Sequence, residues 1–126
     1  MKPLWISGAL LFIMFLIGGI NGAVFSQFDR TMNGYLQASQ QAVAEQDWQK
    51  ASHALNAANH LWENYDFYLH VIANHNEIDE AETFFQESRL YLLQKDPNKY
   101  QISTHALLLQ IEHLCESQKF TWKNFL

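Results

Sequence analysis

The N-terminal part of the chain contains a long run without a charged side chain. The run extends from Leu4 to Phe25, a length of 22 residues, and Lys2 is the only charged side chain before it. As an α-helix rising 1.5 Å per residue it would be about 33 Å long, close to the thickness of the hydrocarbon core of a bilayer. The sequence therefore predicts an N-terminal transmembrane helix. We call Leu4–Phe25 the apolar segment and residues 1–25 the anchor.

Two other interpretations of this run remain open, a cleaved signal peptide and a buried helix of a soluble protein. The run is long for the apolar region of a signal peptide, and Asn21-Gly22-Ala23 is a poor cleavage site. Lys2 precedes the run, whereas Asp29 and Arg30 after it cancel. The positive-inside tendency then predicts a single-pass protein of the cytoplasmic membrane, with its N-terminus inside and residues 26–126 outside.

The rest of the chain almost lacks the residues that make tight turns. From Tyr35 to Leu126 there is no glycine, and Pro97 is the one proline. Because β-hairpins depend on glycine-bearing turns, this composition indicates helices. Apolar residues also recur at three- and four-residue steps. We therefore predict an all-α fold in which the transmembrane helix continues into an up-and-down four-helix bundle, residues 26–126.

Polar residues that favour helix starts divide the bundle. The first helix is expected to end near Glu45-Gln46, and Asp47 should cap a second helix over about 48–73. A third helix should run from about residue 77 to 95. Asp96-Pro97 should open a fourth, over about 97–118.

The stretch "IANHNEIDEAE", residues 72–82, concentrates histidine, asparagine and carboxylates. If it is helical, His75, Asp79 and Glu82 share one face, which makes a bundle that binds a metal or a small ligand there an alternative function. The other interpretation is a helix junction, because acidic side chains stabilise a helix start and Asn74 or Asn76 can cap it. We favour the junction and predict no metal and no cofactor. His70 and His75, five residues apart, would not share a face of one helix.

The remaining candidates for chemistry are weak. Cys115 is the only cysteine and is predicted to be a packing residue of a helix. No nucleophile motif, phosphate loop or metal motif appears, so we do not expect an enzyme. Residues 26–126 hold seven Lys/Arg and thirteen Asp/Glu, a net charge of −6, which argues against nucleic acid as a partner. We expect an interaction or scaffold module with a protein partner, joined to the membrane through the apolar segment.

Several short motifs resemble those of a known family. They are an N-terminal apolar helix, Asp47-Trp48 with Ala51, Trp62, His75-Asn76-Glu77-Ile78-Asp79, and a C-terminal Asn124-Phe125-Leu126. The chain resembles an uncharacterised family of small bacterial membrane-anchored helical proteins, a domain of unknown function common in spore-forming Gram-positive bacteria. That resemblance implies an architecture but no activity.

A second resemblance is to tetratricopeptide helices, in "AEQDWQKASHALNAA" and again in "NEIDEAETFFQES". Such solenoids need about three units, and this chain offers two imperfect ones. A peptide-binding module of this kind is kept as an alternative function.

Overall fold

The computed structural model describes the backbone of residues 2–125. It also describes the side chains of this range apart from those of residues 2, 3, 17–22, 25, 72 and 117–125. The described backbone forms helices without any strand, which confirms the all-α prediction. In chain order the helices are α1 (Lys2–Ala44), α2 (Trp48–Asn64), α3 (Asp66–Ile72), α4 (His75–Gln94) and α5 (Pro97–Phe125).

Helix α1 is one continuous helix of 43 residues that contains the apolar segment in its N-terminal half. It passes through Gly34 without a break, and there it leaves open space where a Cβ atom would lie. Among the described residues, no helix is both long enough and apolar enough to cross a membrane. The predicted span includes residues 17–22 and 25, whose side chains lie outside the description.

The C-terminal half of α1 packs against both α2 and α5, and α4 packs against α5. Contacts between rings and between hydroxyl groups give the helix directions. Phe28 of α1 lies against Trp62 and Tyr65 near the end of α2, whereas Ser39 of α1 is bonded to Tyr100 near the start of α5. Helix α1 is therefore antiparallel to both neighbours, and the four longer helices close around one core.

Apolar side chains from all five helices fill this core. On α1 and α5 the largest fully buried ones recur at steps of three, four or seven residues, the helical spacing that the sequence predicted. Across the five helices the largest ones include Met32, Leu36, Leu55, Leu69, Ile78, Tyr100, Leu107, Ile111 and Leu114.

Three predicted N-caps are confirmed. The side chain of Asp47 accepts a hydrogen bond from the Lys50 N–H at 3.1 Å, and that of Asp96 accepts one from the Lys99 N–H at 3.2 Å. Asn74 accepts from the Asn76 N–H at 3.1 Å. Each bond satisfies one of the N–H groups that the first helical turn leaves without a partner.

Two of the connections between helices turn sharply without glycine. Gln46, after α1, and Lys95, after α4, take left-handed backbone conformations, with φ of 61° and 54°. Residues other than glycine seldom adopt this region. Here it allows the connections between α1 and α2, and between α4 and α5, to be only three and two residues long.

Two predicted boundaries were wrong, and a third was two residues off. The expected single helix over 48–73 is divided at Tyr65, whose N–H is shared between the carbonyls of Leu61 and Trp62. The ring of Phe28 lies edge-on to that of Tyr65, with 5.0 Å between the centroids. Helix α4 starts at His75, because Asn74 caps it, and the backbone of α5 continues beyond the expected residue 118 to Phe125.

Candidate functional site

Ionisable side chains gather at one end of the bundle. We call this the proximal end, because it is the end nearest the apolar segment of α1, and the end with the α1–α2 and α4–α5 connections the distal end. At the proximal end α3 stops at Ile72 and the chain turns through Ala73 and Asn74 into α4. The turn places His70, on α3, beside the first residues of α4.

Asp66 and His70 lie four residues apart on α3 and face each other. The Nδ1 atom of His70 is 2.8 Å from the backbone oxygen of Asp66 and 3.2 Å from its carboxylate Oδ1. A carbonyl only accepts, so Nδ1 carries the proton that it donates. In the neutral ring this leaves the lone pair on Nε2, the arrangement in which a histidine commonly binds a metal.

Glu82 of α4 completes a group of three. Asp66, His70 and Glu82 each offer one ligand atom, and these atoms lie within 4.8 Å of one another. Asp66 and Glu82 belong to different helices, so the group depends on the turn between α3 and α4. One imidazole and two carboxylates are a donor set suited to a divalent ion such as zinc or manganese.

The structure places only part of the sequence-predicted set in this group. Glu82 belongs to it, whereas His75 and Asp79 lie on exposed positions of the first turns of α4. His75 is nevertheless close, since its ring is edge-on to that of His70 with 5.2 Å between the centroids. The two histidines do not share a face of one helix, as expected, but the turn between α3 and α4 brings their rings together.

Sequence reasoning missed Asp66 and His70 as members of a site. Their spacing of four residues was a usable signal, since such pairs meet on one face of a helix. The third member could not be identified in this way, because Glu82 reaches the pair across a turn.

The same surroundings act on the charge of His70. The pKa of His70 is raised above its ordinary value of 6.5, chiefly by the hydrogen bond to the backbone oxygen of Asp66. Partial burial opposes the rise, and the negative charges of Asp66, Glu82 and Asp79 add to it. Protonation and metal binding would compete for this ring, so any metal affinity should fall in acid.

An open cleft of about 310 Å³ adjoins the group, between α2, α3 and α4. Trp62 forms part of its wall, and its buried indole Nε1 has no hydrogen-bond partner among the side chains and backbone that the structure describes. The cleft carries both signs of charge. The residues that line it are Asn59, Trp62, Glu63, Asp66, Glu82, Phe85, Gln86 and Arg89.

On the other side of the α4 start, two contacts join α4 to α5. Glu77 lies 3.5 Å from Nε2 of His113, and its backbone oxygen accepts from the Gln110 amide at 3.2 Å.

Cys115, one turn beyond Ile111, is a buried thiol of the core, as the sequence predicted.

The fold defines an all-α bundle protein whose first helix extends far beyond the bundle. The chain belongs to the family described as a domain of unknown function, DUF4363, whose sequence profile matches residues 23–125. This confirms the resemblance to an uncharacterised family. No curated protein and no solved structure gives a significant match to the chain.

Proposed function

We propose that the protein is a membrane-anchored helical module. In this proposal the apolar segment crosses the bilayer once, and the bundle stands on the extracytoplasmic surface as an interaction or scaffold module for another protein. The apolar segment is held by lipid, and the bundle supplies a fixed, acidic surface next to the membrane.

The observation that carries this proposal is the exposure of the start of α1. Ten large apolar side chains between Leu4 and Leu16 are 43–83% exposed. Leu10 to Leu16 form an unbroken run, so that they cover all faces of the helix and not one stripe. Covering each such side chain gains roughly 1.5–3 kcal/mol. A helix that is apolar all round calls for an apolar environment on every side, which hydrocarbon provides.

The bundle itself favours an interaction module over a tetratricopeptide solenoid. Because α1 packs on both α2 and α5, the helices close around a filled core. A solenoid would instead leave an open concave surface between repeats. The net charge of −6 over residues 26–126 favours a protein partner with a basic surface.

The anchor is tested by extraction of cell membranes with alkaline carbonate. The full chain should stay in the membrane pellet. The double change Leu11→Arg/Ile13→Arg should release most of it, because each arginine costs about 2.5–3.5 kcal/mol at the centre of a membrane helix. The matched control Ile102→Arg/Leu109→Arg changes two exposed residues of α5 and should remain in the pellet. Release of the unchanged chain would refute the anchor.

The orientation is tested separately. A reporter joined after Leu126 should be active only outside the cytoplasm. Cys115 is buried, so an impermeant thiol reagent should label it in intact cells only after mild unfolding. A reporter active in the cytoplasm would reverse the proposed topology and leave the anchor unaffected.

A second candidate function is metal binding at the proximal end, which the 4.8 Å grouping of Asp66, His70 and Glu82 favours. Titration of the full chain in detergent with zinc or manganese should then show one site that is lost in His70→Ala and Glu82→Ala. His75→Ala discriminates between the two possible sets, since it should weaken binding only if His75 also ligates. The absence of saturable binding to the unchanged chain would exclude this function.

A further inference from the structure

Helix α3 presents an apolar face to the outside of the molecule. Phe67 is 83% exposed and Val71 67%, and their spacing of four residues places them on one face. Leu69 is buried in the core and fixes the opposite side of the helix. The exposed face is therefore held in place by packing, because α3 cannot rotate without withdrawing Leu69.

The contact made by Tyr65, the residue before α3, shows where α3 begins along the bundle. Tyr65, immediately before α3, lies against Phe28 of α1. Phe28 is three residues from the end of the apolar segment, about 4.5 Å along the helix axis. Because α1 and α2 are antiparallel, α2 runs toward the end of the bundle nearest the apolar segment, and α3 begins where α2 ends.

Helix α3 is a separate short helix of seven residues. It packs against α2 and α4, and the bend at Tyr65 separates it from α2. A short helix beside a membrane-spanning one, with an aromatic and a branched apolar side chain on its outer face, has the features of an interfacial helix.

We propose that α3 rests on the bilayer surface, with Phe67 and Val71 inserted at the boundary between headgroups and acyl chains. This inference rests on the proposed membrane anchor and adds a second contact to it. The occupant of the α3 face is lipid in this proposal, because α3 begins beside Phe28, within one helical turn of the apolar segment. The contact is apolar and does not require anionic lipid.

The experiment uses the full chain in phosphatidylcholine vesicles, with a nitroxide spin label at one position at a time. The labelled variants are Leu10→Cys, Phe67→Cys, Val71→Cys and, as distal controls, Leu93→Cys and Ile102→Cys. The controls are exposed apolar residues at the opposite end of the bundle, and buried Cys115 is changed to alanine throughout. Collision of the label with oxygen, which concentrates in lipid, is compared with collision with a water-soluble nickel complex.

Labels at Phe67 and Val71 should show an oxygen-to-nickel ratio several-fold higher than the labels at Leu93 and Ile102, and lower than the label at Leu10. A lipid-like signal at Leu10 with a water-like signal at both α3 positions would overturn the α3 contact and keep the anchor. A water-like signal at Leu10 would overturn the anchor itself.

Low collision with both reagents at Phe67 and Val71 would show that protein, a second copy or another chain, covers this face, and it would also overturn the lipid contact. Two positions on one face guard against disturbance by a single label. Circular dichroism of each variant checks that its helix content equals that of the unchanged chain.

Discussion

The two ends of the bundle are held together in different ways. At the distal end, buried hydroxyl groups bond across helices. Tyr100 donates to Ser39 at 2.8 Å, and Ser88 and Ser103 share a hydrogen bond of 2.8 Å. At the proximal end, contacts between rings predominate, with Trp62 6.3 Å from Phe28 and 5.7 Å from Phe85.

The polar groups at the two ends differ in the same way. Burial raises the pKa of the Tyr100 hydroxyl, so it stays protonated and able to donate. Two buried polar atoms near the proximal end, Nε1 of Trp62 and Oδ1 of Asp29, have no hydrogen-bond partner among the described residues. Directional bonds therefore fix the register of α1, α4 and α5 distally. The proximal end relies more on the packing of aromatic rings.

The strongest test of this comparison removes the central ring of the proximal end. Trp62→Ala should lower the free energy of unfolding by about 3–5 kcal/mol. The indole contacts both Phe28 and Phe85, and its removal leaves a large cavity. Thermal and denaturant unfolding of the full chain in mild detergent, followed by circular dichroism, would measure it. Trp48→Ala, the same change at a half-buried distal position, should cost clearly less. Equal losses would contradict the difference in packing.

The distal network is tested by Tyr100→Phe, which removes only the hydroxyl group. The unfolding free energy should fall by about 1–1.5 kcal/mol, since Ser39 loses a donor and no cavity forms. Tyr35→Phe, at a partly exposed ring of α1, serves as the control and should change stability by less than about 0.5 kcal/mol. A neutral Tyr100→Phe variant would mean that the bond does not hold the distal end.

The junction at the proximal end is tested by Asn74→Ala. The loss of the N-cap of α4 should cost about 1 kcal/mol. Asn76→Ala is the matched control and should be close to neutral, because only the backbone N–H of Asn76 takes part in the cap. If Asn76→Ala cost as much as Asn74→Ala, the cap would not be the source of the effect.

The smallest expected effect is a dependence of stability on pH. Because the pKa of His70 is raised on folding, its contribution to stability is complete below pH 6.5 and is lost as the pH rises through the higher folded value. His70→Gln should abolish this part of the profile, which lies above pH 6.5. Asp66→Asn should retain most of it, since the backbone oxygen of Asp66 is the largest cause of the rise. Unfolding midpoints measured across this range would show both effects.

Most of the fold could be predicted because its signals are local. The missing glycines, the apolar spacing and the caps at Asp47, Asn74 and Asp96 each act within a few residues. The break at Tyr65 carries no such signal. It has neither proline nor glycine, and the ring that lies against Tyr65 belongs to Phe28 of α1, 37 residues earlier in the sequence.

The candidate site was only partly predictable for the same reason. The pair Asp66 and His70 follows from helical spacing, whereas Glu82 and His75 join it through the turn after Ile72. A sequence pattern assigns faces to one helix at a time. It does not give the angle at which the next helix leaves the turn. That angle decides which carboxylate of α4 lies beside Asp66 and His70.

The continuity of α1 has a mechanical consequence. A helix of 43 residues is a rod about 65 Å long, without a joint between its apolar part and its core part. Any environment that fixes the orientation of residues 4–16 therefore also fixes the tilt and the rotation of the bundle. Adding one residue near position 23 would turn the whole bundle by about 100° relative to residues 4–16, whereas adding seven would nearly restore its azimuth. The direction in which the acidic surface and the α3 face point is thus set by the phase of a single helix.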